Sequence, residues 1–337
     1  MKIGLSLHNR LSYAGGGEIF MVTLGKFMVE RGHSVKIYSL PVNQDGNTTN
    51  SKIELGGVQY EETWSHCDGG EDICFAVYTP ITHYYLKCDC PKISSLLSHH
   101  LLFGRLTPKE GIIPNTAFIV DRFVRNHELS HYEAIHTNNT VSFKLINHQR
   151  KYMLPNPIDP IFNNTASSKS DKFTVFFAGR HAYWKGWDII VEVNRRLNET
   201  GRNKHVTLLS NGENQEGVKS ISLRDPRALA AQYGAAQVVV YPSRGDTFGN
   251  VIVEAAMNGT PVITSSIEVH KSLGLPLLYA DTASEIISQI DDIYYQWSCS
   301  KDKYYNYCQD LKAAAQKYAL NLIGPQYESM FKEVESV

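Results

Sequence analysis

Little in this sequence is in excess. Its 33 Lys and Arg balance 34 Asp and Glu, leaving a formal net charge of −1 over 337 residues. There is no long basic run of the kind a nucleic-acid partner needs, so that class is set aside. No stretch approaches the roughly 20 apolar residues of a membrane-spanning helix. The opening Met1-Lys2-Ile3-Gly4-Leu5 lacks the build of a signal peptide, and a cytoplasmic protein is expected. Only six cysteines occur, and none shows zinc-type spacing. Cys88-Asp89-Cys90 is too tight for a C-x2-C pair, and the others are scattered. They read as reduced thiols. No low-complexity segment or short repeat is present. No G-x-G-x-x-G follows the first expected strand and no acid ends the second, which argues against a dinucleotide site. No D-x-D pair is present, so no metal site and no cofactor are expected.

What is present suits two domains of ordinary size with real cores, since 42% of the residues are hydrophobic. The most informative stretch is Val238 to Ser265. Val238-Val239-Val240-Tyr241 reads as a buried strand. Pro242, Ser243 and Gly245 break it into a loop. From Gly249 the pattern turns helical, with Val251, Ala255 and Met257 on one face. Gly259 and Pro261 stop the helix, and Pro261 to Thr264 reads as the next strand. This is a βαβ unit, whose first loop lies at the carboxyl edge of the sheet, where open α/β sheets bind ligands. The helix N-terminus there, at Phe248, Gly249, Asn250 and Val251, offers free N–H groups to a phosphate or diphosphate. Glu254, in a helix of small and apolar residues, could accept hydrogen bonds from two sugar hydroxyls.

A second βα loop follows the strand Phe173 to Ala178. It runs from Gly179 through Arg180 to Lys185 and Gly186, ahead of a helix over 187–197. A planar fork of donors and a compact charge together suit a diphosphate leaving group. Near the amino terminus, strand Lys2 to Ser6 is followed by Gly15-Gly16-Gly17-Glu18 and a helix over 19–31. Three adjacent glycines there let a bulky substrate approach backbone. Further strands are expected over 34–39, 72–78, 92–97, 116–120 and 132–136, with a helix over 81–88. The polar 45–62 segment reads as a hairpin or irregular excursion. Ser98-His99-His100 ends the 92–97 strand. Tyr152 to Asp159, with Pro155 and Pro157 around Asn156, reads as a stiff link. Helices are expected over 284–297, 302–318 and 325–334.

These motifs resemble the retaining glycosyltransferases of the GT-B fold, in the large family four. Asp246 and Glu254 are spaced as in its E-x7-E signature, with aspartate at the first place. Gly179, Arg180, Lys185, Gly186 and Asp188 match its G-R…K-G-x-D motif, and Pro155 to Asp159 its interdomain P-N-x-[IV]-D segment. The resemblance implies two doubly wound, Rossmann-like parallel-sheet domains facing across a cleft. An acceptor-side domain would span 1–155 and a donor domain 156–320, with a terminal helix over 321–337 returning to the first. It further implies transfer of a sugar from a nucleotide-diphosphate donor to a hydroxyl acceptor without a metal ion. Arg180 and Lys185 would stabilise the leaving group, Glu254 would hold the ribose and Asp246 the transferred sugar. Gly16, Gly17, Thr247 and the 248–251 backbone would meet the donor, and backbone near Leu223 the base. A histidine near the sugar falls at His99 or His100. The acceptor would be a glycan or a lipid-linked molecule, with peripheral contact at the inner face of the membrane. A nucleotide-sugar epimerase of the same fold and an inactive scaffold are the competing classes.

Overall fold

Runs such as Ile-Cys-Phe-Ala-Val at 73–77 and Phe-Thr-Val-Phe-Phe at 173–177 are buried at every residue. A strand covered on both faces belongs to a parallel sheet between helical layers. The computed structural model describes residues 1–13, 15–42, 54–79, 82–97, 105–107, 111–113, 127–163, 171–223 and 225–336. The expected strand over 116–120, and both His99 and His100, lie outside the described residues.

The chain divides into two units, one of residues 1–105, 112–158 and 318–337, the other of 106–111 and 159–317. The strands of the first unit are β1 (Lys2–Leu7), β2 (Ser34–Ser39), β3 (Gln59–Glu62), β4 (Ile73–Val77) and β5 (Lys92–Leu96), and later β8 (Ala134–Thr137) and β9 (Lys151–Met153). Arg105–Thr107 (β6) and Gly111–Ile113 (β7) form a separate two-stranded sheet. The main sheet has the order β3-β2-β1-β4-β5-β8-β9, and every neighbouring pair is parallel. The second unit holds β10 (Phe173–Phe177), β11 (Val206–Asn211), β12 (Lys219–Ile221), β13 (Val238–Tyr241), β14 (Val262–Thr264) and β15 (Leu278–Tyr279). Their order is β12-β11-β10-β13-β14-β15, again all parallel. Each sheet grows outward from its first strand in both directions, the doubly wound pattern, and its switch point lies beside that first strand.

Three local expectations need correction. The 45–62 segment ends in β3, a parallel edge strand in which Lys36 pairs with Gln59. Only one side of an edge strand is covered, so a polar Gln-Tyr-Glu-Glu run suffices. The helix expected over 81–88 spans only Thr82–Tyr85, because Leu86 leaves it to bridge His66. The last helix begins at Leu320, ahead of Pro325, and runs to Glu335. Ala319 stays extended before it, and its carbonyl accepts from Leu322 and Ile323.

That helix completes the first core. Tyr327, Met330, Phe331 and Val334 pack with Phe20 and Phe75 in one cluster. A Cβ on Gly324 would fall 2.7 Å from the Phe27 ring, so the absence of a side chain there sets how closely the Gly16–Glu30 helix approaches. The buried Tyr327 hydroxyl reaches His136 Nε2 at 2.8 Å and donates to the Leu154 carbonyl at 3.1 Å. Burial pushes the His136 ring down to about 4, so it is neutral near pH 7. Tyr327→Ala would leave a ring-sized hole and orphan part of this network. We expect a loss of about 3–5 kcal/mol, measurable by urea unfolding. A loss under about 1 kcal/mol would show that the helix is not part of the core.

Candidate functional site

The second unit's switch point lies between β10 and β13, where the order reverses. The loop after β10 carries Gly179 to Gly186, and the loop after β13 carries Pro242 to Gly249. Gly186 sits at φ 76°, and a Cβ there would fall 2.2 Å from the Pro242 carbonyl oxygen. Only glycine allows the two backbones this approach. Arg244 then fastens them. Its guanidinium donates to both Asp188 oxygens at 2.6 and 2.7 Å and to the Tyr183 carbonyl at 2.6 Å. It also lies 3.9 Å over the Tyr183 ring. The Arg244 N–H and the Ser243 hydroxyl both donate to the Trp184 carbonyl.

With the loops joined, Lys185 meets Asp246. The ammonium Nζ lies 3.0 Å from Asp246 Oδ2 and donates to the Tyr241 hydroxyl at 2.7 Å. That hydroxyl donates to the same carboxylate oxygen at 2.7 Å, and the Thr247 N–H donates to the other at 3.0 Å. Burial alone would raise the Asp246 carboxyl. The Lys185 ammonium, with help from His270 and Tyr241, outweighs it and holds the group well below the usual carboxylate range. Asp246 is thus a fixed negative charge.

His270 comes from the Glu268–Lys271 helix, beyond β14. It is fully buried, and Nδ1 is anchored on Thr264 Oγ1 at 2.9 Å. Nε2 lies 3.9 Å from Asp246 Oδ2, beyond hydrogen-bond reach, and has no partner among the described residues. A buried ring nitrogen left open beside a loop is a candidate ligand contact.

Gly249, at φ 91°, caps the Asn250–Met257 helix. A Cβ there would crowd Ile252 at 3.0 Å and the His270 ring at 3.5 Å. Asn250 and Val251 form the first turn, whose N–H groups have no intrahelical acceptor. Glu254, farther along, is buried and accepts from the Tyr233 hydroxyl at 3.1 Å. Burial lifts its carboxyl to about 7, Asp159 adds to the rise, and the Tyr233 bond only partly opposes it. Two acids with seven residues between them are therefore pushed in opposite directions. One has a partly buried cation beside it and the other a phenol.

The remaining expected residues are placed as follows. Arg180 is exposed in the loop after β10, and its carbonyl accepts from Ala182. Leu223 donates its N–H to Asn211 Oδ1 at 2.9 Å, and its carbonyl accepts from Asn211 Nδ2 at 3.4 Å, so that backbone is already engaged. Thr247 and Phe248 are buried in the Asp246–Gly249 turn. Gly16 and Gly17 open the Gly16–Glu30 helix of the first unit, and a Cβ on Gly17 would meet nothing within 4 Å. Sequence reasoning missed Tyr241, Arg244 and His270. Tyr241 precedes and Arg244 lies in a loop already singled out, and His270 lies in the short helix after the next strand, so position along the fold was the available signal.

Residues 172–294 match the family model described as glycosyl transferases group 1. Several solved structures share the fold over nearly the whole chain. Sucrose-phosphate synthase from Thermosynechococcus elongatus superposes with a TM-score of 0.76 at 14% identity, covering 100% of this chain and 99% of that one. The Anabaena protein HepE, solved with UDP and glucose, gives a TM-score of 0.72 at 16% identity over 98% of this chain and 99% of that one. The fold is GT-B. Among curated proteins, a D-inositol 3-phosphate glycosyltransferase from Corynebacterium aurimucosum is 29% identical over 126 residues, 32% of this chain and 29% of that one. The match thus spans less than a third of that relative's length.

The Glu254 carboxyl makes a testable contribution to stability. Its folded value of about 7 lies above the ordinary 4.5. Between those values the unfolded chain releases the proton and the folded chain keeps it. Stability is therefore lost as pH rises from about 4.5 to about 7, by an amount on the order of 3 kcal/mol. Glu254→Gln keeps an acceptor for Tyr233 and removes the titration. Subtracting its urea-unfolding stability from the wild-type value across pH 4–8 should give a difference that changes over this window. A flat difference would show that Glu254 is not buried as described.

Proposed function

We propose that this chain is a glycosyltransferase that moves a sugar from a nucleotide-diphosphate donor to a hydroxyl acceptor with retention of configuration. The observation that carries this reading is the joining of the Lys185 and Asp246 loops at the switch point, one turn before the helix N-terminus at Gly249. The match of residues 172–294 to glycosyl transferases group 1 supports it, as does the likeness of the fold to a protein solved with UDP and glucose. The resemblance in sequence extends it to cell-surface polysaccharide or glycolipid synthesis, with a glycan or lipid-linked acceptor.

In this reading the second unit is the donor domain. The diphosphate sits against the N–H groups at Gly249, Asn250 and Val251, where a helix dipole favours negative charge. Lys185 faces it, shared with Asp246 until the donor arrives. Arg180 completes the cationic side. As the sugar–phosphate bond breaks, charge builds on the β-phosphate, and these preorganised donors stabilise it. Asp246 keeps its charge in this setting and presents an acceptor to a hydroxyl of the transferred sugar. Glu254 accepts from the ribose. Because protein cations take the leaving charge, no divalent ion is required for transfer. Donor hydrolysis assayed across uridine, guanosine and adenosine diphosphate sugars tests the reading directly. No turnover with any of them would favour a scaffold.

Two further outcomes are expected. Turnover should be the same in metal-free buffer as with added Mg²⁺ or Mn²⁺. A rate that depends on either ion would overturn the metal-free mechanism. Arg180→Ala and Lys185→Ala should lower kcat more than they raise donor KM, each by roughly 10²–10³. Lys185→Ala also strips Asp246 of its counter-ion, so Arg180→Ala is the cleaner measurement. The double variant should lose less than the product of the single losses, since both residues serve one diphosphate. Multiplicative effects confined to KM would mean that the two cations only attract the donor.

A further inference from the structure

Four of the six cysteines meet in the first unit, although their spacing suggested no cluster. The sulfurs of Cys67, Cys74 and Cys88 all lie within 4.8 Å of one another, and Cys67 Sγ is 2.7 Å from Cys74 Sγ. Cys90 packs onto the same cluster. The four arrive on three segments. Cys67 lies in the loop before β4, Cys74 is the second residue of β4, and Cys88 and Cys90 lie in the loop entering β5.

The backbone is arranged to gather them. The His66 N–H donates to the Tyr85 carbonyl at 2.8 Å, and the Lys87 N–H donates to the His66 carbonyl at 2.9 Å. That ladder sets Cys67 beside Cys88. Cys67 itself holds φ 56°, a left-handed conformation costly for a side-chain-bearing residue. A Cβ on Gly4 would fall 2.6 Å from Cys67 Sγ, so β1 lacks a side chain where the thiol sits. Cysteines used only as small apolar fillers need neither the turned backbone nor the convergence of sulfurs on one point.

Three thiols converge on one point as a soft donor set, and Cys90, packed beside them, is placed to supply the fourth ligand of a tetrahedron after a side-chain rotation. A zinc–sulfur bond of about 2.3 Å places the sulfurs of a tetrahedral site about 3.8 Å apart, so the Cys67–Cys74 pair, at 2.7 Å, opens by about 1 Å to take the ion. We propose that Cys67, Cys74, Cys88 and Cys90 bind one structural zinc ion. Four protein ligands leave no open position for chemistry, which marks the site as structural. It lies toward the amino-terminal ends of β4 and β5, whereas open α/β sheets bind substrates at the carboxyl ends. The ion would staple the 63–72 and 86–91 loops to the sheet. This inference is independent of the glycosyltransferase reading.

The test is metal analysis of the full chain, purified under reducing conditions without added metal. We expect about one equivalent of zinc per chain, and after exchange with Co²⁺ the intense thiolate-to-metal charge-transfer absorption of a four-sulfur site. Both signals should be lost in Cys88→Ser and in Cys90→Ser, and kept in Cys299→Ser, whose thiol is exposed and elsewhere in the chain. Stripping the zinc should lower Tm. The wild-type measurement stands even if a variant fails to fold. Absence of metal with all six thiols free would overturn the proposal, as would a disulfide among the four, metal that persists in Cys88→Ser, or iron in place of zinc.

Discussion

The contact on which the second unit's chemistry depends is the approach of Gly186 to Pro242. Two βα loops from different crossovers are pressed backbone to backbone, at a distance that no Cβ tolerates. Arg244 holds them there through a bidentate pair with Asp188, in fork-to-carboxylate geometry that a lysine could not reproduce. Only because the loops are locked does Lys185 sit over Asp246. A cation at the end of an unfastened loop would be solvated, with a position too poorly defined for chemistry.

The electrostatics follow from that packing. Removing a carboxylate from water is costly unless a partner is supplied. Asp246 has the Lys185 ammonium, the Tyr241 hydroxyl and the Thr247 N–H, and stays ionised. Buried Glu254 has the Tyr233 hydroxyl rather than a cation beside it and feels Asp159 besides, so its proton is held up to about 7. Two acids on one short segment therefore carry different charge near neutral pH. In the proposed reading, such a split separates the group that stays anionic from the group that meets the donor.

Much of this was legible beforehand for a physical reason. A parallel strand buried on both faces must be a continuous apolar run, as Val238 to Tyr241 and Phe173 to Phe177 are. A loop that must touch backbone or turn left-handed favours glycine, as at Gly186 and Gly249 respectively. Edge and boundary features were less legible. The β3 strand is polar because one side of it is open, and the Thr82–Tyr85 helix is short because Leu86 has a bridge to make with His66. The last helix begins at Leu320, five residues ahead of Pro325, a start that the apolar periodicity over 325–334 did not mark.

Sequence by itself determined which apolar runs become buried central strands, which loops lie at their carboxyl ends, and which residue types wait there. Those properties are local, since burial pattern and glycine placement act over a few residues. Tertiary structure alone decided who meets whom. Lys185 and Asp246 are 61 residues apart. His270 joins them from a third crossover, and Cys67 reaches Cys88 only after β4 has been laid between them. In a parallel sheet every return passes through a long crossover, so spatial neighbours come from distant chain positions. Spacing that looks scattered in sequence therefore carries no information about convergence. The sheet order supplies it.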